Sequence, residues 1–487
     1  MSILCILLNS RNVTRRTIWG VVALMGGRCV AMTQSGGMHI FLLCALALAA
    51  ALGIGAAQDE SLGIDSPHPR IFLTARRLKL LRRERERQSL RWNQFHLLMA
   101  GKAPMPEPGF ADALYYQVSG DAEFARQAVA WALGQGTDPR QLALVFDWCQ
   151  DALSAEQGKA LAAKIAKSLE QTHRRTHSDV DWVRSRLLAA VALSGHVQGT
   201  PERELNDVIH KWWEGEIVPA IRSGREAIAR DDSYALMEIL HVVRDNLNID
   251  LREAAPRFFA DLPTVQLLAY YPATYPAGEN EYRIPATAKP TSEPDLQRAA
   301  LSRAAEFSMV AYDNNAPGSQ ILQGWLLNDN FLLRGTFGAP YEFLWANPYQ
   351  PGLSYFQAPL YVHDTLFGRL FARSSWEESA AWLGFFGGEL QLFQGGAATV
   401  LDPKADAEPL DMGSAMILFG AHTRQFKITA QGKQPVFLVG LKQRQNYLSE
   451  VDDEEMSEDT ADPGGILQID VPHDTAVGVR LHESPPR

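Results

Sequence analysis

The hydrophobic period of this chain changes once, and that change limits its fold more than any other feature. From about residue 67 to residue 350, apolar side chains recur at helical spacing. Beyond that, short apolar runs alternate with polar residues between glycines and prolines. A chain so divided predicts a helical part followed by an antiparallel sheet part, an α+β multidomain arrangement. The stretch Gly368–Gly396 lies just past the change. In it Leu370, Ala372 and Ser374 alternate with Arg369, Phe371 and Arg373, a turn is expected at Ser374–Glu378, and AAWLGFFGG reads as a second strand ending at a glycine pair. If a site forms between the two parts, half of it is expected here.

The helical part reads as hairpins in series. Thr74 is placed to cap a first helix, and Asp121 caps another after Ser119-Gly120. Ser154 with Gln157 forms a capping box, and Thr200 precedes Pro201 at a first helical position. No strict repeat length is visible, so a closed or partly closed (α/α) toroid over 67–350 is expected rather than a regular solenoid. The arginines of Arg82–Arg87, interleaved with Glu84 and Glu86, read as a solvated helix face.

One segment of this half carries unusual chemistry. Tyr234, Glu238, His241 and Asp245 follow at spacings of four, four and three, which places them on one helix face beside Arg244. Tyr270, Tyr271 and Tyr275 then lead into a charged loop with Glu279, Glu281, Tyr282 and Arg283. Sugar clefts use such mixtures, because aromatic faces cover pyranose rings while polar groups fix the hydroxyls. A solvated stripe and ordinary core tyrosines are the plainer readings of the same residues. Walker, Rossmann, HExxH, CxxC and GxSxG patterns do not occur.

In residues 351–487 eight runs read as strands at sandwich spacing: LFARSS, AAWLGFF, ELQLF, ATVLD, SAMILFG, PVFLVGL, GILQID and AVGVRL. The acidic stretch EVDDEEMSEDTADPGG reads as an exposed loop. It lacks the alternating ligands and central glycine of an EF-hand, so no metal or other cofactor is expected.

Residues 1–57 read as a targeting region. They hold four arginines and no acidic residue, and Met38 begins a short apolar run ending at Gly55-Ala56-Ala57. A signal peptide over 38–57 is expected, with translation starting at Met38 and the product periplasmic or secreted. With 46 basic and 56 acidic side chains the net charge is −10, and it falls further once the targeting arginines are removed. General nucleic-acid binding is thereby excluded, while a local basic cleft is not. Of the four cysteines only Cys149 lies beyond residue 57, so packing rather than an internal disulfide must stabilise the exported chain. No stable membrane anchor is expected after cleavage.

HPRIFLTARRLKLLR, YYQVSGDAEFARQAV, VFDWCQDALSAEQ and FARSSWEESAAWLGF together resemble the heparinase II/III-like superfamily of polysaccharide lyases. The resemblance covers most of the chain beyond residue 57. It implies a toroid followed by a β-sandwich, and cleavage of a uronic-acid polysaccharide by β-elimination. In that chemistry one group neutralises the substrate carboxylate, a base removes the adjacent proton and an acid protonates the leaving oxygen. The resemblance offers His177, in HSDVDWVRS, for the helix-borne Asn or His. It offers Tyr234 for the Tyr, with His241 as a stand-in. Glu238, Arg244, Tyr271, Glu279, Tyr282 and Arg283 are the expected substrate-binding residues. The chain departs from the pattern in GELQLFQGG, where Leu390, Leu392 and Gln394 stand at the places of His, His and Asp. Two further readings stay open. One is a carbohydrate-binding protein that has lost the chemistry. The other is a glycoside hydrolase using Glu238 and Glu279.

Overall fold

Thr74 starts the first helix as its position predicts: its Oγ1 accepts from the Arg77 amide, and α1 runs Ala75–Glu86. The structure, a computed structural model, describes residues 62–171, 179–277, 280–290, 293–328, 333–405, 407–420, 425–453 and 455–484. Leu62–Arg487 cluster as one compact unit.

After α1 come α2 (Leu90–Ala100), α3 (Pro108–Ser119), α4 (Ala122–Leu133), α5 (Pro139–Trp148), α6 (Ala155–Gln171) and α7 (Val180–Leu193). The Ser154–Gln157 capping box forms, with Ser154 N on Gln157 Oε1 at 2.9 Å and Gln157 N on Ser154 Oγ at 3.2 Å. Thr200 is the first residue of α8 (Thr200–Asn206), one position inside its expected capping place; Gly199 is the cap. A π-helical stretch, Asp207–Ile217, leads into α9 (Val218–Arg222). Then follow α10 (Ser233–Leu247), α11 (Pro256–Leu268), α12 (Leu296–Tyr312), α13 (Pro317–Asn328) and α14 (Gly335–Trp345).

The packing order is a closed circuit. Helix α3 packs on α5, α5 on α7, α7 on α10, α10 on α12, α12 on α14, and α14 returns to α3. Sequence explains why these lie inside. The second half of α7, Leu187–Leu193, carries no polar residue and is buried at every position, as a helical stretch without a polar face must be.

The segment expected to be a charged loop is instead the second strand of a hairpin. Strands β1 (Tyr270–Ala277) and β2 (Asn280–Pro285) pair antiparallel, with Thr274 opposite Arg283 and Tyr275 opposite Tyr282. The turn residues Gly278 and Glu279 lie outside the described residues.

Three sheets follow. The first orders β3 (Tyr361–Asp364), β4 (Arg369–Arg373), β5 (Trp382–Phe386), β6 (Glu389–Gln394) and β7 (Ala397–Leu401) as an antiparallel meander. Its β5–β6 and β6–β7 hairpins turn on paired glycines. Gly387 and Gly388 have φ of +59° and +77°, and Phe386 faces Glu389, which is a two-residue turn with both central residues left-handed. The second sheet orders β14 (Leu467–Ile469), β11 (Val436–Val439), β9 (Met416–Phe419) and β8 (Leu410–Asp411), with β11 and β9 parallel. The third orders β10 (Gln425–Ile428), β15 (Val477–Glu483), β12 (Asn446–Val451) and β13 (Glu455–Thr460).

Side-chain alternation stacks the three sheets. Leu370, Leu383 and Leu390 of the first meet Ile417, Phe419 and Phe437 of the second. Met416, Leu418 and Leu438 point the other way, onto Phe426, Val479 and Leu481 of the third. The middle strands β9 and β11 are therefore buried at every position, and their sequences MILF and VFLV carry no polar residue. The acidic stretch expected to be a loop forms the β12–β13 hairpin, with β13 at the sheet's edge. Charge on an edge strand discourages pairing with another chain.

A basic cleft as the candidate functional site

The outer face of the first sheet meets the helices through α11 and the β1–β2 hairpin. Phe371, Trp382 and Phe393 pack there against Val265, Leu268 and Tyr271. A cavity of about 320 Å³ lies at this junction, walled by Leu236, Phe258, Val265, Phe371 and Phe386. The charges at its edge are already paired, Arg298 with Asp231 and Arg369 with Glu226. The junction is thus mainly apolar.

A larger opening, about 690 Å³, lies within the helical part. It is bounded by α1 (Arg76, Arg77, Lys79, Arg83), by the end of α10 (His241, Arg244, Asp245), by Tyr312 at the end of α12 and Asn314 beyond it, and by Asn347, Tyr349 and Gln350 after α14. Five of these side chains are cationic and one is a carboxylate. In a chain of net charge −10, that is a concentrated positive site.

Helix ends explain part of this charge. Arg244 Nη1 donates to the Tyr312 carbonyl at 2.7 Å, and Arg77 Nη1 to the Leu344 carbonyl at 3.0 Å, so each satisfies a last-turn carbonyl of α12 or α14. Arg244 also pairs with Asp245 at 3.0 Å and lies 3.8 Å over the Tyr312 ring. Burial, offset by Asp245 and reinforced by Arg244 and Arg76, brings the Arg77 guanidinium down to about 10. Arg76, Lys79 and Arg83 remain exposed, and neither Arg76 nor Lys79 makes an ion pair among the described residues. Tyr349, exposed at the mouth, has the guanidinium carbons of Arg83 and Arg87 at 5.9 and 5.3 Å from its ring.

His241 forms the inner wall. Its Nε2 donates to the Ser308 carbonyl at 2.9 Å, which leaves Nδ1 as the acceptor, 3.3 Å from Arg244 Nη2. Burial first, then Arg77, holds this imidazole well below its ordinary pKa, so it is neutral. Trp345 lies against it, ring centroids 4.6 Å apart, and takes the Arg77 guanidinium over its face at 4.6 Å.

The other residues expected at a site are elsewhere. Tyr234 shares a helix with His241, and both are buried, but Tyr234 does not line the cleft. Its hydroxyl donates to Glu238 Oε1 at 2.7 Å and accepts from Trp345 Nε1 at 2.9 Å. Burial, with the Glu238 charge beside it, raises this phenol well above its ordinary pKa. Outside the cleft wall and with its hydroxyl committed to Glu238 and Trp345, Tyr234 is not placed to hand a proton to a polymer there, which corrects the catalytic role expected of it. Glu238 is fully buried and held by Arg140 at 2.6 Å and Arg184 at 3.3 Å, so it is an internal counter-charge rather than a substrate ligand. The same burial removes it as a hydrolase carboxylate.

Tyr271, Tyr282 and Arg283 belong to the β1–β2 hairpin and do not line the cleft. The Tyr271 hydroxyl donates to Gln391 Oε1 at 2.7 Å, joining hairpin to sheet. His177 and Glu279 lie outside the described residues. Leu390 and Leu392 face the second sheet, away from the helices, and Gln391 faces the hairpin. Of the expected residues, then, His241 and Arg244 meet in one cleft.

Reasoning from sequence missed the α1 cations, although Arg76, Lys79 and Arg83 fall at i, i+3 and i+7 on one face. Nor is the Arg82–Arg87 turn simply solvated. Glu84 is fully buried and accepts from Ser89 Oγ, while Arg82 and Arg85 reach the carbonyls that end α3. Among the described residues no group of three or more His, Cys, Asp or Glu is arranged to hold a metal.

No family model matches this chain, and no curated protein matches it. Among solved structures it is similar to one titled "Glycoside hydrolase", at TM-score 0.30 and 12% identity, over 78% of this chain and 71% of that one. A likeness of that size carries neither fold nor activity across.

Proposed function

We propose that this is an exported carbohydrate-active protein that takes an acidic polysaccharide into the basic cleft, and that the reaction the cleft suits is β-elimination. The excess of five cations over one carboxylate around a single opening carries the proposal. Arg244 and Arg77 would neutralise a uronic carboxylate and so acidify the adjacent carbon. His241 Nδ1 would take the proton, because Nε2 is committed to Ser308. The carboxylate would draw Arg244 from Nδ1 and offset the charges that depress the imidazole. The Tyr349 hydroxyl is the lining phenol for the leaving oxygen, since that of Tyr312 donates to Asp250. The closed helix circuit followed by mostly antiparallel sheets supports the finer reading, a toroid and sandwich of the heparinase II/III-like kind.

A second reading, binding without turnover, is favoured by two observations. Leu390 and Leu392 supply no sheet-side histidine, and His241 is a weak base while Arg244 stays on it. One experiment separates the two. Uronic-acid polymers are incubated with the protein, and the unsaturated product is followed in the ultraviolet. Product that disappears in His241→Ala and falls sharply in Arg244→Gln supports elimination. Retention on immobilised polymer without product supports binding alone. Neither product nor retention refutes both.

A further inference from the structure

Helix α1 carries more charge along one face than the cleft encloses. Arg76, Lys79, Arg83 and Arg87 follow at spacings of three, four and four, within an arc of about 80° on a regular helix, and all four are exposed. Arg76, Lys79 and Arg83 line the opening, while Arg87, the cap of the helix, lies beyond it. Among the described residues none of the four makes an ion pair, and the exposed Glu86 beside them pairs with none.

A helix face that is merely solvated gains from opposite charges three or four residues apart. This one sets Lys79 against Arg83 and Arg83 against Arg87, like charges at i, i+4 that weaken a helix. Arg82 and Arg85, by contrast, leave the row and satisfy the carbonyls that end α3. The fold itself gives the row no use.

Its spacing and its neighbour describe a ligand. A rise of about 1.5 Å per residue sets the charges about 4.5, 6 and 6 Å apart along the axis, steps close to the length of one pyranose unit. Tyr349 lies alongside, 45% exposed, with the guanidinium carbons of Arg83 and Arg87 at 5.9 and 5.3 Å from its ring centre. Its amide donates to Asn347 Oδ1 at 3.1 Å, which fixes the backbone that carries the ring. An exposed ring beside two cations can cover a sugar's apolar face while they hold its charges. A lipid surface would call for a broad patch, whereas this row carries one cation per turn and its inner members line a concave opening.

We infer that the exposed face of α1 is an extended subsite for an acidic polysaccharide, which runs along the helix from the cleft past Arg87 and carries a negative charge on successive sugars. The subsite rests on the cleft's ligand being an acidic polysaccharide, as proposed above, but not on elimination.

The test is calorimetric titration of the whole protein with two series of oligosaccharides, each of two, four and six sugars. Oligouronates of the galacturonate and mannuronate kinds are charged on every sugar, and hyaluronan fragments on alternate ones. Wild-type affinity should rise with oligouronate length, and rise less with hyaluronan of equal length. Arg83→Gln combined with Arg87→Gln should lose about threefold to tenfold of the six-sugar affinity at low ionic strength, and less of the two-sugar affinity. Equal affinity for two and six sugars, or a variant that keeps the gain with length, overturns the subsite and leaves the cleft reading intact. Hyaluronan gaining as much as the oligouronates refutes charge on successive sugars. A wild type that binds neither series refutes the cleft reading together with the subsite, and its capture by phosphatidylserine vesicles would assign the row to a lipid surface instead.

Discussion

Replacing Glu238 by Gln distinguishes a structural carboxylate from a substrate ligand. The side chain is fully buried and accepts from Arg140 Nε at 2.9 Å, Arg140 Nη2 at 2.6 Å and the Tyr234 hydroxyl at 2.7 Å, with Arg184 Nη1 at 3.3 Å. Glutamine preserves the shape but leaves Arg140, itself 1% exposed, with only the partly exposed Glu107 at 3.3 Å as counter-charge. Breaking a buried pair from one side costs about 3–5 kcal/mol. Against a usual total of about 5–15 kcal/mol, that is a large fraction.

Urea unfolding should therefore show a strongly lowered midpoint with an unchanged slope, while the fraction still folded binds polysaccharide normally. Arg140→Met combined with Glu238→Leu should recover part of the loss, because neither partner is then stranded. The pH dependence gives a second readout. Burial alone would raise the Glu238 carboxyl, but Arg140 and Arg184 hold it below its ordinary value of 4.5. Its contribution is thus present above that pH and is lost as pH falls through the lower folded value; Glu238→Gln lacks this acid limb. A Glu238→Gln protein as stable as the wild type that no longer bound polysaccharide would refute this placement.

Other expectations follow from the same structure. His241 is held neutral in the fold, so the unfolded chain takes up a proton first as pH falls below about 6.5. Stability should then decline by up to about 1.4 kcal/mol per pH unit from this group, and unfolding at pH 7 and pH 5 should show a smaller decline in His241→Gln. Arg76→Gln with Lys79→Gln should slow association with an acidic polysaccharide at low salt and matter little at high salt, as stopped-flow mixing would show. Gly368 has φ +66°, and a Cβ there would sit 1.9 Å from Gly464 N. Gly368→Ala should cost more than about 2 kcal/mol in denaturant unfolding. Ser154→Ala removes the observed cap and should cost about 1 kcal/mol by the same assay.

What could be seen in the sequence was whatever local chemistry decides. Capping residues, apolar runs and paired glycines act within a few residues, and each of the eight apolar runs contains or overlaps a strand. Among the strands that escaped notice, β8 has two residues, β10 reads QFKI, β13 is acidic throughout much of its length, and β1 is interrupted by Pro272 and Pro276. They are held by register with a neighbour, which no local pattern encodes.

The site was less legible for a similar reason. Spacing put Tyr234, Glu238 and His241 on one face, but only tertiary packing decides which end of that face is enclosed. The Arg140 and Arg184 side chains that bury Glu238 come from distant segments, and so do the α1 arginines opposite His241. A polar stripe on a central helix reads the same whether it meets solvent, a ligand or another helix.

Trp345 has a consequence of its own. Its indole nitrogen holds Tyr234 within the buried ion cluster, while its ring carries His241 on one side of the contact and the Arg77 guanidinium on another. Rotating the indole would break into the interior charge network, so the inner wall of the cleft is pre-organised. For the polysaccharide proposed above, ordering on association would fall mainly on the ligand and the exposed α1 side chains, and stiffening the ligand should raise affinity more than stiffening the protein.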